Sequence, residues 1–352
     1  MLFCKVSTWM ARFMPLLVPA ACALAAVAND HRVVIYYQTT QANNSATAHI
    51  SLLPLVDSAP EVSVTHVLIA AIHIQDDATI HLNNEPPDNA MFDAVWTDAA
   101  QLQAKGVTVM GMLGGAAAGS YQRLDGDDAS FEKFYAPLHD MIGTYNLQGL
   151  DLDVEENFSL DGVIRLIDRL KKDFGNDFII SLAPVASALT EGGGNLSGFN
   201  YFDLEQQRGS SIAFYNAQFY YGWGDASSAG DYEAILDDGF PAEKVVMGLV
   251  TDPSNGYGFV SLDNEAPVLQ ELTGENPTFG GVAGWEYFNS LPGGSTSPWE
   301  WAAWMADHVR SAAATTGEKR EIATTEKVWR GIRKAGRRVR RDAKKVYRDY
   351  IA

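Results

Sequence analysis

The chain has 352 residues, 47% of them hydrophobic and 11% aromatic, with a formal net charge of −18. This composition supports a large core and excludes a mostly disordered chain or a short disulfide-stapled scaffold. No apolar run reaches the ~18 residues that a membrane span needs. The charge is uneven: residues 318–352 carry 13 basic and 5 acidic side chains, whereas residues 31–317 carry 11 basic and 38 acidic ones. A body this acidic is a poor match for phosphate backbones, so no nucleic-acid partner is expected.

Residues 1–28 read as a secretory signal peptide. Lys5 and Arg12 form a basic start, an apolar stretch follows, and Ala26-Val27-Ala28 is a small-x-small cleavage site. The alternative is an N-terminal membrane anchor. Both cysteines, Cys4 and Cys22, lie in this segment, so a mature chain beginning near Asn29 would have none. Disulfides and cysteine-held metals are then excluded, and stability must come from the core. Three sequons, at Asn43, Asn157 and Asn195, are compatible with secretion.

Beyond residue 28, strand-like and helix-like segments alternate. Apolar, β-branched runs predict strands over 33–39, 65–74, 107–113, 150–154, 178–185, 213–221, 244–250 and 281–288. Most are continuous rather than alternating, as expected for parallel strands covered by helices. Helical stripes recur between them, for example Val163, Leu166, Ile167 and Leu170 after the fourth strand. Eight strands with intervening helices predict a single (β/α)8 barrel, of the TIM-barrel class, over residues 29–316. The rival is an open doubly wound sheet, but no Gly-rich phosphate loop follows the first strand. Gly114 and Gly115 after the third strand suggest room for a ligand or a close backbone approach. The short gap between the last two strands leaves no space for a large inserted lobe.

The segment 148–156 carries the chemistry. Leu150, Leu152 and Val154 alternate with Asp151, Asp153 and Glu155. On a strand, period two sends the apolar set to one face and the three carboxylates to the other. In a barrel the acids face the interior, and Glu155 comes nearest the C-terminal end where barrel active sites are built. Three inward acids must share protons, bind a cation or do chemistry. Carboxylates at strand ends also hold Mg²⁺ or Ca²⁺, and an acidic edge facing solvent is a further alternative. No histidine pattern supports zinc. Without a metal, crowding raises at least one carboxyl pKa and makes a general acid, suited to protonating a glycosidic oxygen. Most glycosidases place two carboxylates on opposite sides of the bond. Here the acids share one strand, so the attacking group must come from elsewhere, and a substrate acetamide could supply it.

This segment resembles the signature of glycoside hydrolase family 18, D-G-x-D-x-D-x-E. Gly149, Asp151, Asp153 and Glu155 match, and Gln148 replaces the first aspartate. That departure implies altered proton sharing along the acid row. Met112-Leu113-Gly114-Gly115 resembles the family's S-x-G-G, with Met112 in place of serine. The resemblance runs from about residue 32 to 306. It is nearest to secreted, single-barrel, fungal-type endo-β-N-acetylglucosaminidases, through Tyr36-Tyr37-Gln38-Thr39 and the stretch from Phe214 to Gly224.

The resemblance implies that Glu155 is the general acid and that Asp153 orients the 2-acetamido group. Tyr220 would hydrogen-bond the acetamido carbonyl, Asp151 would tune Asp153, and Trp285 would stack under the sugar. Gln218, Asn216, Trp223, Gly114 and Gly115 are expected substrate contacts. The implied reaction retains configuration through an oxazolinium intermediate and uses no cofactor and no metal. The implied partner is an N-glycoprotein or another GlcNAc-containing oligosaccharide. Cleavage of chitin is the alternative substrate reading, and a non-catalytic lectin or inhibitor barrel is the alternative of another class. Residues 317–352 repeat apolar positions at steps of 3 and 4 with basic residues between them. This extension is expected to be an amphipathic helix for an anionic surface or cell wall, for docking on the acidic body or for a membrane surface, or a solvated tail without a catalytic role.

Overall fold

The computed structural model describes residues 31–42, 48–58 and 62–310 of the chain. The expected signal peptide, the sequon at Asn43 and the basic extension lie outside them. Eight parallel strands close into a barrel: β1 (Arg32–Tyr37), β2 (His66–Ile74), β4 (Thr108–Gly114), β5 (Gly149–Asp153), β6 (Ile179–Leu182), β7 (Phe214–Gln218), β8 (Val245–Val250) and β9 (Gly281–Trp285). Each pairs with the next, and β1 pairs with both β2 and β9 to shut the ring. The expected (β/α)8 fold is therefore the observed one.

Strand parity sorts the side chains into two cores. Val33, Ile35 and Tyr37 of β1 face outward with Leu150 and Leu152 of β5, and join the layer shared with the helices. Val34 and Tyr36 face inward with Met110, Met112, Phe214 and Ala283, and fill the barrel. The outer layer is covered by stripes such as that of α5 (Leu160–Phe174), which buries Val163, Leu166, Ile167 and Leu170. The oxygen of Ser159 caps its start by accepting from Gly162 N–H, and Gly175, at φ 87°, ends it. That capping satisfies orphan groups at the helix ends and lets α5 stop where the chain must return to β6.

The N-terminal end of the barrel is plugged. His66 packs edge-on to Phe214, with ring centroids 5.2 Å apart, and the Arg32 guanidinium lies 4.7 Å from the same ring. Burial, followed by the charge of Arg32, pushes His66 down to about 3, so it packs as a neutral ring. Polar groups capable of chemistry therefore gather at the opposite, C-terminal end.

The strands end sooner than the apolar runs suggested. The runs 178–185, 213–221 and 281–288 contain strands only over Ile179–Leu182, Phe214–Gln218 and Gly281–Trp285. Their last residues leave the ladder to build the rim. A ninth strand, β3 (Ile80–Leu82), was not expected. It folds back antiparallel on the end of β2, pairing Ile80 with Ile74 and Leu82 with Ile72. Asp77 Oδ1 accepts from Thr79 N–H (3.0 Å), and Ala78 takes φ 69°, which closes the turn.

Candidate active site

The acid row is assembled by β5 and the turn after it. Asp151 is fully buried, level with Met112 on β4 and Ser181 on β6. Its Oδ1 accepts from Ser181 Oγ (2.6 Å) and Asn216 Nδ2 (3.1 Å), and its Oδ2 from the Tyr36 hydroxyl (2.9 Å). Burial pushes its carboxyl up to about 6, against the pull of these three donors. Two residues on, Asp153 is also buried. Its carboxyl is driven well above the usual range by burial, then by the charges of Glu155 and Asp151. Crowded like charges in a dry site cannot all ionise, so Asp153 is the member that retains a proton.

Gln218, at the end of β7, joins the last two acids. Its Nε2 lies 3.1 Å from Asp153 Oδ1, 3.2 Å from Glu155 Oε1 and 3.0 Å from the Ala183 carbonyl. An amide nitrogen carries two hydrogens. With the backbone carbonyl taking one, the two carboxylates share the other. Glu155 lies beyond the strand end and is half-buried, so it is the acid that meets the opening.

Aromatic side chains flank the row. Tyr220 is buried just past the end of β7, and its hydroxyl is pushed up by burial, then by the charges of Asp153, Glu155 and Asp151. It stays a neutral donor, and no protein acceptor holds it among the described residues. Trp285, the last residue of β9, packs edge-to-face on Tyr36 with centroids 5.5 Å apart. Asp151, Asp153, Glu155, Gln218, Tyr220 and Trp285 are thus brought to one end of the barrel.

Four further expected contacts lie as follows. Asn216 is buried with its amide nitrogen on Asp151, so it positions a carboxylate. Gly114, at φ 94°, is a close approach: an added Cβ would lie 2.4 Å from the Asp153 carbonyl and 2.5 Å from the Tyr121 ring. Gly115, at φ 85°, lies beside the acids: a Cβ there would sit 3.0 Å from Met112 Cε and 3.5 Å from Asp153 Oδ2. Trp223 joins the turn after Tyr220 through its backbone, N–H to the Tyr220 carbonyl at 3.1 Å, while its ring covers Gly194.

Gln148 does not belong to the row. Its parity is that of Leu150, and its side-chain oxygen accepts from Val109 N–H (2.9 Å). The expected change in proton sharing from the missing aspartate therefore has no structural basis.

Sequence reasoning also missed functional supports. Ser181 and Tyr36 both donate to Asp151, and an isolated serine at inward parity in an apolar run was the available signal. Glu156, next to the acid, accepts from Gly119 N–H (2.8 Å) and Tyr121 N–H (2.9 Å), pinning the loop after β4. Glu286 accepts from Gln38 N–H, Thr39 N–H and the Thr39 hydroxyl, tying the ends of β9 and β1 together. Among the described residues, no group of three or more His, Asp or Glu is arranged to hold a metal ion.

Comparison with known proteins identifies the family. The family model described as glycosyl hydrolases family 18 matches residues 32–257. A solved fungal endo-β-N-acetylglucosaminidase of that family shares 44% identity over 80% of this chain and 98% of its own, with a TM-score of 0.76. A chitinase from Aspergillus fumigatus shares 54% identity over 78% of this chain and 98% of its own, with a TM-score of 0.72. Endochitinase 4 of Metarhizium anisopliae is 25% identical over 285 residues, covering 74% of this chain and 98% of that protein. With the barrel, the acid row and a family match of this extent in hand, the chain belongs to glycoside hydrolase family 18.

Proposed function

We propose that the chain cleaves the GlcNAc-β-1,4-GlcNAc bond of the N-glycan core with retention of configuration, using the substrate's own 2-acetamido group as nucleophile. The observation that carries this is the one-sided acid pair. Asp153 and Glu155 share one amide hydrogen on one wall of the barrel. Glu286, on the strand end that carries Trp285, has both oxygens committed to Gln38 and Thr39. Glu286 is therefore not free to face Glu155 in the role that a two-carboxylate mechanism requires.

In this reading Asp153 passes its proton to Glu155, which protonates the oxygen between the two sugars and leaves Asp153 as a carboxylate. The acetamido carbonyl oxygen attacks the anomeric carbon as that bond breaks, held in line by the Tyr220 hydroxyl. Asp153 orients the amide and stabilises the positive charge of the oxazolinium that forms. Water then opens the ring, giving its proton to Glu155, which is restored as an acid. Asp151 fixes the charge seen by Asp153, and Trp285 offers a flat apolar face to the sugar ring. The chain is further proposed to act outside the cell, after loss of residues 1–28.

The N-glycan reading is supported by the 44% identity to the fungal endo-β-N-acetylglucosaminidase along nearly its whole length. Hydrolysis of chitin is a second reading, favoured by the 54% identity to the Aspergillus fumigatus chitinase. A purely sugar-binding role has less support, since Asp153, Glu155, Gln218 and Tyr220 are all kept together. The test is intact-mass analysis of a high-mannose glycoprotein incubated with the wild type and with Glu155→Gln. Wild type should leave one GlcNAc on each modified asparagine, and the variant should act at least ~10²-fold more slowly. An untouched glycoprotein together with cleaved GlcNAc oligomers would transfer the proposal to chitin.

A further inference from the structure

Resting on the glycosidase reading above, we infer that Tyr221 and Tyr257 form a second sugar platform, which binds a pyranose of the substrate chain beyond the one that reacts. They are the two large hydrophobic side chains most open to solvent among the described residues, 56% and 76% exposed. Both sit at the C-terminal rim, and Tyr221 directly follows Tyr220, with ring centroids 5.8 Å apart.

The backbone is built to hold these rings outward. Tyr221 takes φ 54° and Gly222 takes φ 81°, so the chain turns sharply after β7. A left-handed backbone is uncommon for a bulky aromatic residue and must be over-determined by its surroundings. Here Tyr221 N–H donates to the Tyr257 carbonyl (2.9 Å), and Trp223 N–H donates to the Tyr220 carbonyl (3.1 Å). The loop after β8 is thereby docked against the residue that follows Tyr220.

Two glycines on either side of Tyr257 make that docking possible. A Cβ on Gly256 would lie 2.9 Å from Tyr221 Cζ and its hydroxyl, so the outer end of this ring rests against bare backbone. A Cβ on Gly258 would lie 3.1 Å from Tyr220 Cα, so the loop passes directly against the residue placed to hold the acetamido group. Backing by glycine supports the Tyr221 ring while its exposed surface remains available. Flat and partly polar, such rings match the apolar face and hydroxyl rim of a pyranose. Their continuity with the acid row makes a further unit of the same saccharide the occupant.

The experiment measures binding to the Glu155→Gln chain, so that cleavage does not interfere. Titration calorimetry would use GlcNAc oligomers of two to six units and a high-mannose glycopeptide. The background chain is compared with the same chain also carrying Tyr221→Ala, Tyr257→Ala or both. Affinity should rise with length in the background and fall by roughly 3–10-fold per tyrosine for the longer ligands, as loss of one ring contact implies. Phenylalanine at either position should restore most of the affinity. Gly256→Ala should weaken the same ligands by displacing the Tyr221 ring. Alanine variants that bind every ligand as tightly as the background would overturn the platform. A background that binds none of the ligands would overturn the glycosidase reading as well, and wild-type cleavage of these substrates checks that reading separately.

Discussion

Replacing Asp151 by asparagine tests the electrostatics of the acid row. Asp151 is pushed from an ordinary 3.8 up to about 6 by burial, despite three hydrogen-bond donors. At 1.36 kcal/mol per unit, ionising it inside the barrel costs about 3 kcal/mol more than in the unfolded chain. Its folded value lies above its unfolded one, so the folded state holds the extra proton between about pH 4 and 6. Stability from this group is therefore greatest in acid and falls as pH rises through 6. Between pH 4 and pH 8 the wild type should lose roughly 2.5 kcal/mol from this source. Asp151→Asn removes that slope while keeping an oxygen for Ser181. Guanidinium unfolding followed by tryptophan fluorescence at pH 4, 6 and 8 should show the variant gaining on the wild type by about that amount as pH rises. Because the Asp151 charge also raises Asp153, the alkaline limb of the pH–rate profile should move to lower pH in the variant. Parallel stability curves for the two proteins would refute the reasoning.

Other perturbations separate positioning from chemistry. Ser181→Ala leaves Asp151 Oδ1 with Asn216 alone, and should cost about 1–3 kcal/mol at pH 8 while raising the Asp151 value further, read by the same unfolding series. Gly114→Ala drives a Cβ to 2.4 Å from the Asp153 carbonyl at φ 94°, and should lower stability by more than about 2 kcal/mol in a thermal melt. Glu156→Ala strips the acceptor from Gly119 and Tyr121 N–H, and hydrogen exchange should show those two amides losing protection. Gln148→Asp restores the family's aspartate outside the row, so the pH–rate profile should not move.

Much of the site was legible because period two is a strong signal inside a barrel. Three acids alternating with Leu150, Leu152 and Val154 could face only one way, and the structure has them there. Gln148 follows from the same parity, since it shares a face with Leu150, yet the family signature drew it into the row. Asn216 shows a different limit. Its inward parity was readable, but its depth below the rim depends on strand register, which pairs it with Val246 and sets it on Asp151. Strand ends were overcalled because rim residues such as Tyr220 are as apolar as ladder residues, although they serve the opening. The β3 hairpin was hidden by its length, since three residues carry no measurable periodicity.

Along the acid row and the loops beside it, how completely a carboxylate is satisfied separates support from chemistry. Glu156 accepts two backbone N–H groups, Glu286 two plus a hydroxyl, and Asp151 three side-chain donors. These are acids that the fold has quieted, each pinning a loop or a neighbour. Asp153 and Glu155 have one shared hydrogen between them. Burial with so few donors is costly for an anion, and it raises Asp153 well above the usual carboxylate range. The pair left short of donors at the barrel mouth is therefore the pair expected to exchange protons with a substrate. Glu155 and Glu156 make the contrast sharpest. They are identical in type and adjacent in sequence, but opposite parity gives one an opening and the other two amides.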